Sequence, residues 1–180
     1  PAARAERHPL TAETLRALSR RKLHVGVYGV GSVQEELGLR GATTSCFAID
    51  PTVGFAIDVG FATDIPDVPK KMLGDIRLGA GPELNRSADN NPVLGRMIRD
   101  VAARHKIKYQ ESAAHRASGG TDTAIMQLTR SGVATALVSI PNRYMHSPVE
   151  ICDMRDVDGA VKLLTETIAG LSGKEKFRPG

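Results

Sequence analysis

Two adjacent glutamates, Glu35 and Glu36, are the first residues whose types and spacing indicate chemistry. They follow the alternating run "HVGVYGVG" and precede a turn that contains Gly38 and Gly41. Adjacent like charges repel, and a carboxylate at the end of a buried strand is costly unless another group neutralises it. A divalent cation would neutralise one carboxylate and leave the other available as a general base.

Three further polar residues lie at predicted strand ends or in a glycine-rich turn. Asp58 ends the apolar strand predicted in "VGFAIDVG", His146 follows the apolar run "VATALVSIP", and Asp122 lies in "GGTDT". In α/β sheets, functional side chains collect beyond the carboxyl ends of the strands. Carboxylates and one imidazole, with no cysteine nearby, form a ligand set for zinc, cobalt or manganese.

Each of these residues also has an ordinary structural interpretation, which the residues alone leave open. The two glutamates can be a solvated loop pair, Asp58 can cap a turn, and His146 can be a surface residue. We interpret the remaining histidines as surface or hydrogen-bonded residues: His8, His24, His105 and His115.

Segments that favour helices alternate with apolar segments that favour strands. The predicted helices are "PLTAETLRALSRRK" with Thr11 as its cap, "GLRGATTSCFA", "NPVLGRMIRDVAARHKI" and "RDVDGAVKLLTETIAGL". The segment "SGGTDTAIMQLTRSG" predicts a glycine turn, a helix and a glycine stop. The predicted strands are "HVGVYGV", "VGFAIDVG", "KYQESA" and "VATALVSIP". This alternation predicts one domain over residues 1–180, an α/β layered fold with a largely parallel central sheet flanked by helices.

Composition narrows the classes of function. The chain has 180 residues, of which 41% are hydrophobic and 24% charged, and its formal charge is +4. Aromatic residues make up 4% and tryptophan is missing, so base-stacking surfaces for nucleic acid are hard to assemble. No apolar run approaches the ~20 residues of a membrane span. The two distant cysteines, Cys46 and Cys152, favour a reducing, cytoplasmic compartment.

Several segments together resemble one enzyme family. They are "VQEELGLRGA", "AIDVGFATDIP", "GGTDTAIMQLTRSGVATALVSIPNRYMHSPVE" and "DVDGAVKLL", in that order between about residue 24 and residue 171. This ordered set is similar to the tetrahedral and deblocking metallo-aminopeptidases, whose members carry names such as glutamyl aminopeptidase, endoglucanase or cellulase. The resemblance implies a zinc-exopeptidase-like fold, a peptide substrate, a homo-oligomer, and two divalent metal ions, zinc or cobalt.

Matching the family's motifs implies a role for four residues. Glu35 would be the general base, Glu36 and His146 would share one metal, and Asp58 would bind the other. In the mechanism that the resemblance implies, two cations hold a water molecule and Glu35 takes its proton. The hydroxide then attacks the amino-terminal peptide bond, and Glu35 returns the proton to the leaving amine.

The chain departs from the family pattern before the double glutamate. Family members carry an earlier "HxDE"-like histidine and a "D-[DN]-R"-like aspartate, and neither motif occurs in these 180 residues. We therefore expect the carboxyl-terminal part of a catalytic domain. An alternative is an inactive assembly or binding piece with the same fold. A glycoside hydrolase is disfavoured, because neighbouring residues on an extended chain point to opposite faces and do not flank one bond.

Overall fold

The computed structural model describes residues 2–113 and 120–178. Its helices are α1 (Ala2–Leu18), α2 (Arg40–Ile49), α3 (Lys70–Leu73), α4 (Pro92–Arg104), α5 (Thr123–Met126) and α6 (Met154–Ala169). Its strands are β1 (Val53–Phe61), β2 (Glu83–Arg86), β3 (Gln110–Ala113), β4 (Ala134–Arg143) and β5 (Ile151–Cys152). The predicted α/β fold is confirmed, although α1 is followed directly by α2 and not by the predicted strand "HVGVYGV".

One five-stranded sheet forms the centre of the fold. The strand order is β1-β4-β2-β3, and β5 pairs with the end of β4. The β1/β4 pair is parallel over nine residues and the β2/β3 pair over four, whereas the antiparallel β2/β4 and β4/β5 pairs span two each. The sheet is therefore mostly parallel, as predicted. All residues of β4 except the last are buried, as expected for a central strand covered on both faces.

The main core lies between the sheet and helices α4 and α6. Asn91 caps α4 by accepting hydrogen bonds from the backbone N–H groups of Val93 and Leu94, and Pro92 occupies the first turn. Apolar residues three or four positions apart then face the sheet from both helices. The buried cluster includes Leu94, Ile98 and Ala102 of α4, Ala160, Leu163 and Leu164 of α6, and Ala136, Val138 and Ile140 of β4. Each fully buried leucine contributes roughly 1.5–3 kcal/mol.

Helix α1 is longer than the sequence predicts. It begins at Ala2, so Thr11 lies within the helix and the prediction of a cap there is wrong. The preceding residues include alanine, arginine and glutamate, which favour helix and extend it upstream. Within the described ranges, no helix has the length and apolar character needed to cross a membrane.

The segment "HVGVYGV" does not form the predicted strand. Residues 25–30 are irregular, and the Tyr28 side chain is 72% exposed. A strand needs a hydrogen-bonded neighbour, and in the described part of the chain no strand pairs with this segment. A cavity of about 1000 Å³, which we call the β1 cavity, is lined by this segment, α1, α2 and β1. The strand β1 is an edge strand, paired with β4 on one side.

Candidate active site

The loop after β4 carries His146. Strand β4 ends at Arg143, and the following residues Tyr144 and His146 both have positive φ angles, 60° and 64°. Residues other than glycine rarely adopt this backbone conformation. The loop therefore turns sharply at the carboxyl end of the central strand. There the His146 ring makes an edge-to-face contact with Phe61 of β1, with ring centroids 6.5 Å apart.

A compact turn before α2 carries the two glutamates. The Gly41 N–H donates a hydrogen bond to the Val33 carbonyl, and a Cβ atom on Gly41 would lie 2.3 Å from the Val33 backbone nitrogen. Only glycine allows this close approach. The turn directs the exposed Glu36 side chain towards the His146 loop, whereas Glu35 is half-buried.

The structure brings Glu36 and His146 together across 110 residues of chain. The Glu36 Oε1 and His146 Nε2 atoms are 3.5 Å apart. Two ligands that bind one tetrahedral ion at about 2.1 Å lie about 3.4 Å from each other. Both side chains are more than 60% exposed, so this contact alone adds little stability. A carboxylate oxygen and an imidazole nitrogen at this separation fit two ligand positions of one divalent cation.

Glu35 lines the β1 cavity together with Glu36 and Asp122. The Asp122 Oδ2 atom accepts a hydrogen bond of 2.7 Å from the Ser32 hydroxyl, which ties the "GGTDT" loop to the segment before the glutamates. The predicted general base Glu35, the predicted metal ligand Glu36 and Asp122 of the glycine loop thus face one shared space. His115 lies outside the described residues.

Asp58 lies inside strand β1 and not at its end. It is the sixth residue of β1, and the strand continues to Phe61, because Val59, Gly60 and Phe61 pair with residues 140–142 of β4. The prediction that Asp58 ends the strand is therefore wrong. Its Oδ1 atom accepts a hydrogen bond from the Val59 N–H. Over residues 2–113 and 120–178, no group of three or more histidine, cysteine, aspartate or glutamate side chains is arranged to hold a metal ion.

A fork-shaped ion pair joins the ends of β1 and β4 beside the site. The Arg143 guanidinium donates two hydrogen bonds to Asp64, of 2.8 and 2.6 Å. These hydrogen bonds lower the pKa of the Asp64 carboxyl below its ordinary value, although partial burial opposes the shift. The bidentate geometry fixes the direction in which the chain leaves β4.

Sequence reasoning missed a buried carboxyl group, Glu83 of β2. Its side chain is 6% exposed, its Oε1 atom accepts a hydrogen bond from Ser112, and its Oε2 atom has no hydrogen-bond partner among the described residues. Burial raises the pKa of Glu83, and the Ser112 hydrogen bond opposes this only in part. A glutamate in a short segment normally indicates a solvent-facing position, so the sequence carries no signal for this burial.

A family comparison agrees with the motifs. The profile of the M42 glutamyl aminopeptidases matches residues 9–163, most of the chain. The chain belongs to the M42 glutamyl aminopeptidase family. The predicted resemblance is thereby confirmed. A lysyl aminopeptidase from Pyrococcus furiosus is 48% identical over 137 residues, which are 76% of this M42 chain and 38% of that protein.

Solved structures of M42-like enzymes share the fold. A TET aminopeptidase from Thaumarchaeota archaeon SCGC AB-539-E09 is 32% identical, with a TM-score of 0.83 over 90% of this chain and 46% of that one. The TET1 peptidase of Pyrococcus horikoshii, which can assemble into a tetrahedron or a large octahedral shell, is 31% identical with a TM-score of 0.65 over 78% and 40%. This M42 chain spans less than half the length of the curated relatives that it matches.

Proposed function

We propose that this chain supplies Glu35, Glu36 and His146 to the active site of a metal-dependent aminopeptidase. The observation that carries the proposal is the 3.5 Å separation between Glu36 and His146, two residues from distant parts of an M42 sequence. Glu35 lies next to Glu36 in the same turn and lines the same cavity. The substrate is a peptide with a free amino terminus.

Each residue has a defined task in this proposal. Glu36 and His146 hold a divalent cation, zinc or cobalt, which when bound supplies a Lewis acid for the ionisation of water and the polarisation of a carbonyl group. Glu35 accepts a proton from the attacking water at its carboxylate oxygen. It then donates that proton to the nitrogen of the leaving amine. Asp58 remains a proposed ligand of a second cation, contributed from β1.

The proposal extends to the assembly and the compartment. Homo-oligomer formation is supported by the TET1 relative, which assembles into closed shells. A cytoplasmic location rests on the sparse cysteines, both of which are free thiols.

A second candidate is a chain with this fold that binds or assembles without catalysis. It is favoured by one observation: over the described residues, no group of three or more histidine, cysteine, aspartate or glutamate side chains could hold a metal ion. A catalytic zinc site usually has three protein ligands. The two candidates differ in whether the complete gene product hydrolyses amino-terminal peptide bonds.

A pair of glutamine variants of the complete gene product tests the catalytic proposal. Glu35→Gln should lower kcat by about 10²–10⁴ and leave the metal content unchanged, because it removes a base and not a ligand. Glu36→Gln should lower the metal content itself. Elemental analysis and hydrolysis of peptides with free amino termini measure the two effects, and Glu13→Gln on the exposed face of α1 is the matched control. Equal metal loss in both variants would show that the assigned roles are wrong.

A further inference from the structure

We infer that Glu150 is the residue that positions His146. Its carboxylate lies four residues beyond the histidine and joins two parts of the loop after β4. The Glu150 Oε1 atom accepts a hydrogen bond of 2.8 Å from the His146 backbone N–H. The Oε2 atom accepts one of 2.8 Å from the Asn142 side-chain amide. This inference rests on the proposed role of His146 as a metal ligand.

Asn142 provides a rigid anchor for the carboxylate. Its side chain is 1% exposed, and its backbone lies in the sheet between Phe61 of β1 and Cys152 of β5. A carboxylate has only acceptor atoms, and both groups that face Glu150 are donors. Hydrogen bonds to an ionised acceptor are shorter and stronger than neutral ones. Glu150 therefore connects the end of the sheet directly to the backbone of His146.

The backbone at His146 needs such a contact. The backbone of Tyr144 and of His146 has the left-handed conformation. Residues other than glycine rarely adopt it unless surrounding contacts hold them there. The Glu150 carboxylate holds the N–H of His146, and Phe61 contacts the ring. With the His146 backbone and ring held in this way, the His146 Nε2 atom lies beside Glu36. Glu150 itself is a positioning residue, since it acts through His146.

The inference is tested by comparing Glu150→Gln with the wild type in the complete gene product. Glutamine has one acceptor oxygen in place of two and no charge, so it cannot receive the two charge-assisted hydrogen bonds from Asn142 and His146 on separate oxygens. We expect hydrogen–deuterium exchange in the peptide that contains residues 144–149 to become at least about tenfold faster. Zinc affinity of the metal-free protein, measured by competition with a chelator, should fall by about 10–100-fold, as for other groups that orient a metal ligand. Glu13→Gln should change neither quantity.

The outcomes separate this inference from the proposed function. Unchanged exchange in the 144–149 peptide, or faster exchange with unchanged zinc affinity, would overturn the positioning role. A wild-type protein that binds no zinc and has no peptidase activity would overturn the proposed function, whatever the variants show. If Glu150→Gln does not yield soluble protein, Glu150→Ala tests the same contact. It removes both acceptors without adding a donor, and the same two losses are expected.

Discussion

Glu83 and Asp58 lie on one face of the sheet, but Glu83 is buried and Asp58 is half-buried. Both residues lie opposite Ser139 in the strand register, so all three share one face of the sheet. The Glu83 carboxyl reaches towards β1, where a Cβ atom on Gly60 would be 2.2 Å from its Oε2 atom. Glycine at position 60 therefore provides the space in which Glu83 is buried. The pH dependence of stability should report this burial.

Glu83→Gln should stabilise the protein at alkaline pH but not near pH 4. Burial raises the pKa of Glu83 above its ordinary value of 4.5. Below that value the Glu83 carboxyl is protonated in the folded and the unfolded protein, so its ionisation does not lower the stability of the fold. As the pH rises towards the higher folded pKa, the unfolded state is favoured because it ionises freely. Glutamine does not titrate and keeps the acceptor for Ser112.

Denaturant unfolding at pH 4 and pH 8 measures the effect. Relative to the wild type, the variant should be more stable at pH 8 than at pH 4, because only the wild-type protein must bury a carboxylate or keep it protonated at pH 8. The same two proteins near pH 4 serve as the control. A stability difference that does not change with pH would contradict the assigned burial.

The residue types of the site could be predicted from the sequence, but several contacts could not. Glu36 and His146 stand out because a carboxylate pair and an imidazole follow apolar segments. Glu83 and Glu150 do not stand out. Their roles depend on Ser112 and Asn142, and which side chains meet depends on strand order and register, on which these residue types carry no information.

At the scale of elements, the turn before α2 decides where the glutamates lie. Gly41 is the second residue of α2, and its backbone contacts Val33 on the other side of the turn. A side chain at position 41 would push the two segments apart, because the nearest atoms are backbone atoms that cannot rotate away. Gly95 in α4 offers a contrast, since its nearest neighbour is the flexible Arg99 side chain at 3.5 Å.

In the complete gene product, Gly41→Ala should lower peptidase activity by about 100-fold, since a displacement of about 1 Å in a catalytic group has that effect. Gly95→Ala should leave activity unchanged and stabilise the protein by about 0.5–1 kcal/mol through helix propensity. Peptide hydrolysis and thermal unfolding of both variants provide the comparison. Equal activity in the two variants would show that the Gly41 contact does not position the glutamates.

The segment at residues 24–30 shows where an element's pattern and its structure diverge. Alternating valines favour a strand, but hydrogen bonds to a neighbour are what make one. The helices α4 and α6 were predicted correctly because an apolar stripe and a capping residue are local features of the chain. Strand formation depends on a second segment, and periodicity alone contains no information about whether that segment is adjacent.

At the scale of the whole molecule, the ligand set determines what the 180 residues do when produced alone. Glu36 and His146 supply two ligand atoms, and over the described residues no group of three or more such side chains could hold a metal ion. We expect the isolated chain to bind zinc or cobalt weakly and to show no aminopeptidase activity, because catalytic zinc usually has three protein ligands. Elemental analysis after dialysis and a peptide assay with added metal measure both. Tight stoichiometric metal with chelator-sensitive activity would contradict this and indicate an additional ligand, with Asp122 or His115 the first to test.

The edge of the sheet has a consequence for handling the protein in solution. One side of β1 carries backbone N–H and C=O groups along nine residues without a neighbouring strand in the described part of the chain. Such an edge is a template on which an extended segment of another molecule can add, and proteins normally protect it with charges, prolines or a covering element. Of its nine residues, one is charged, Asp58, and none is proline. Self-association of the isolated chain through this edge would therefore increase with its concentration.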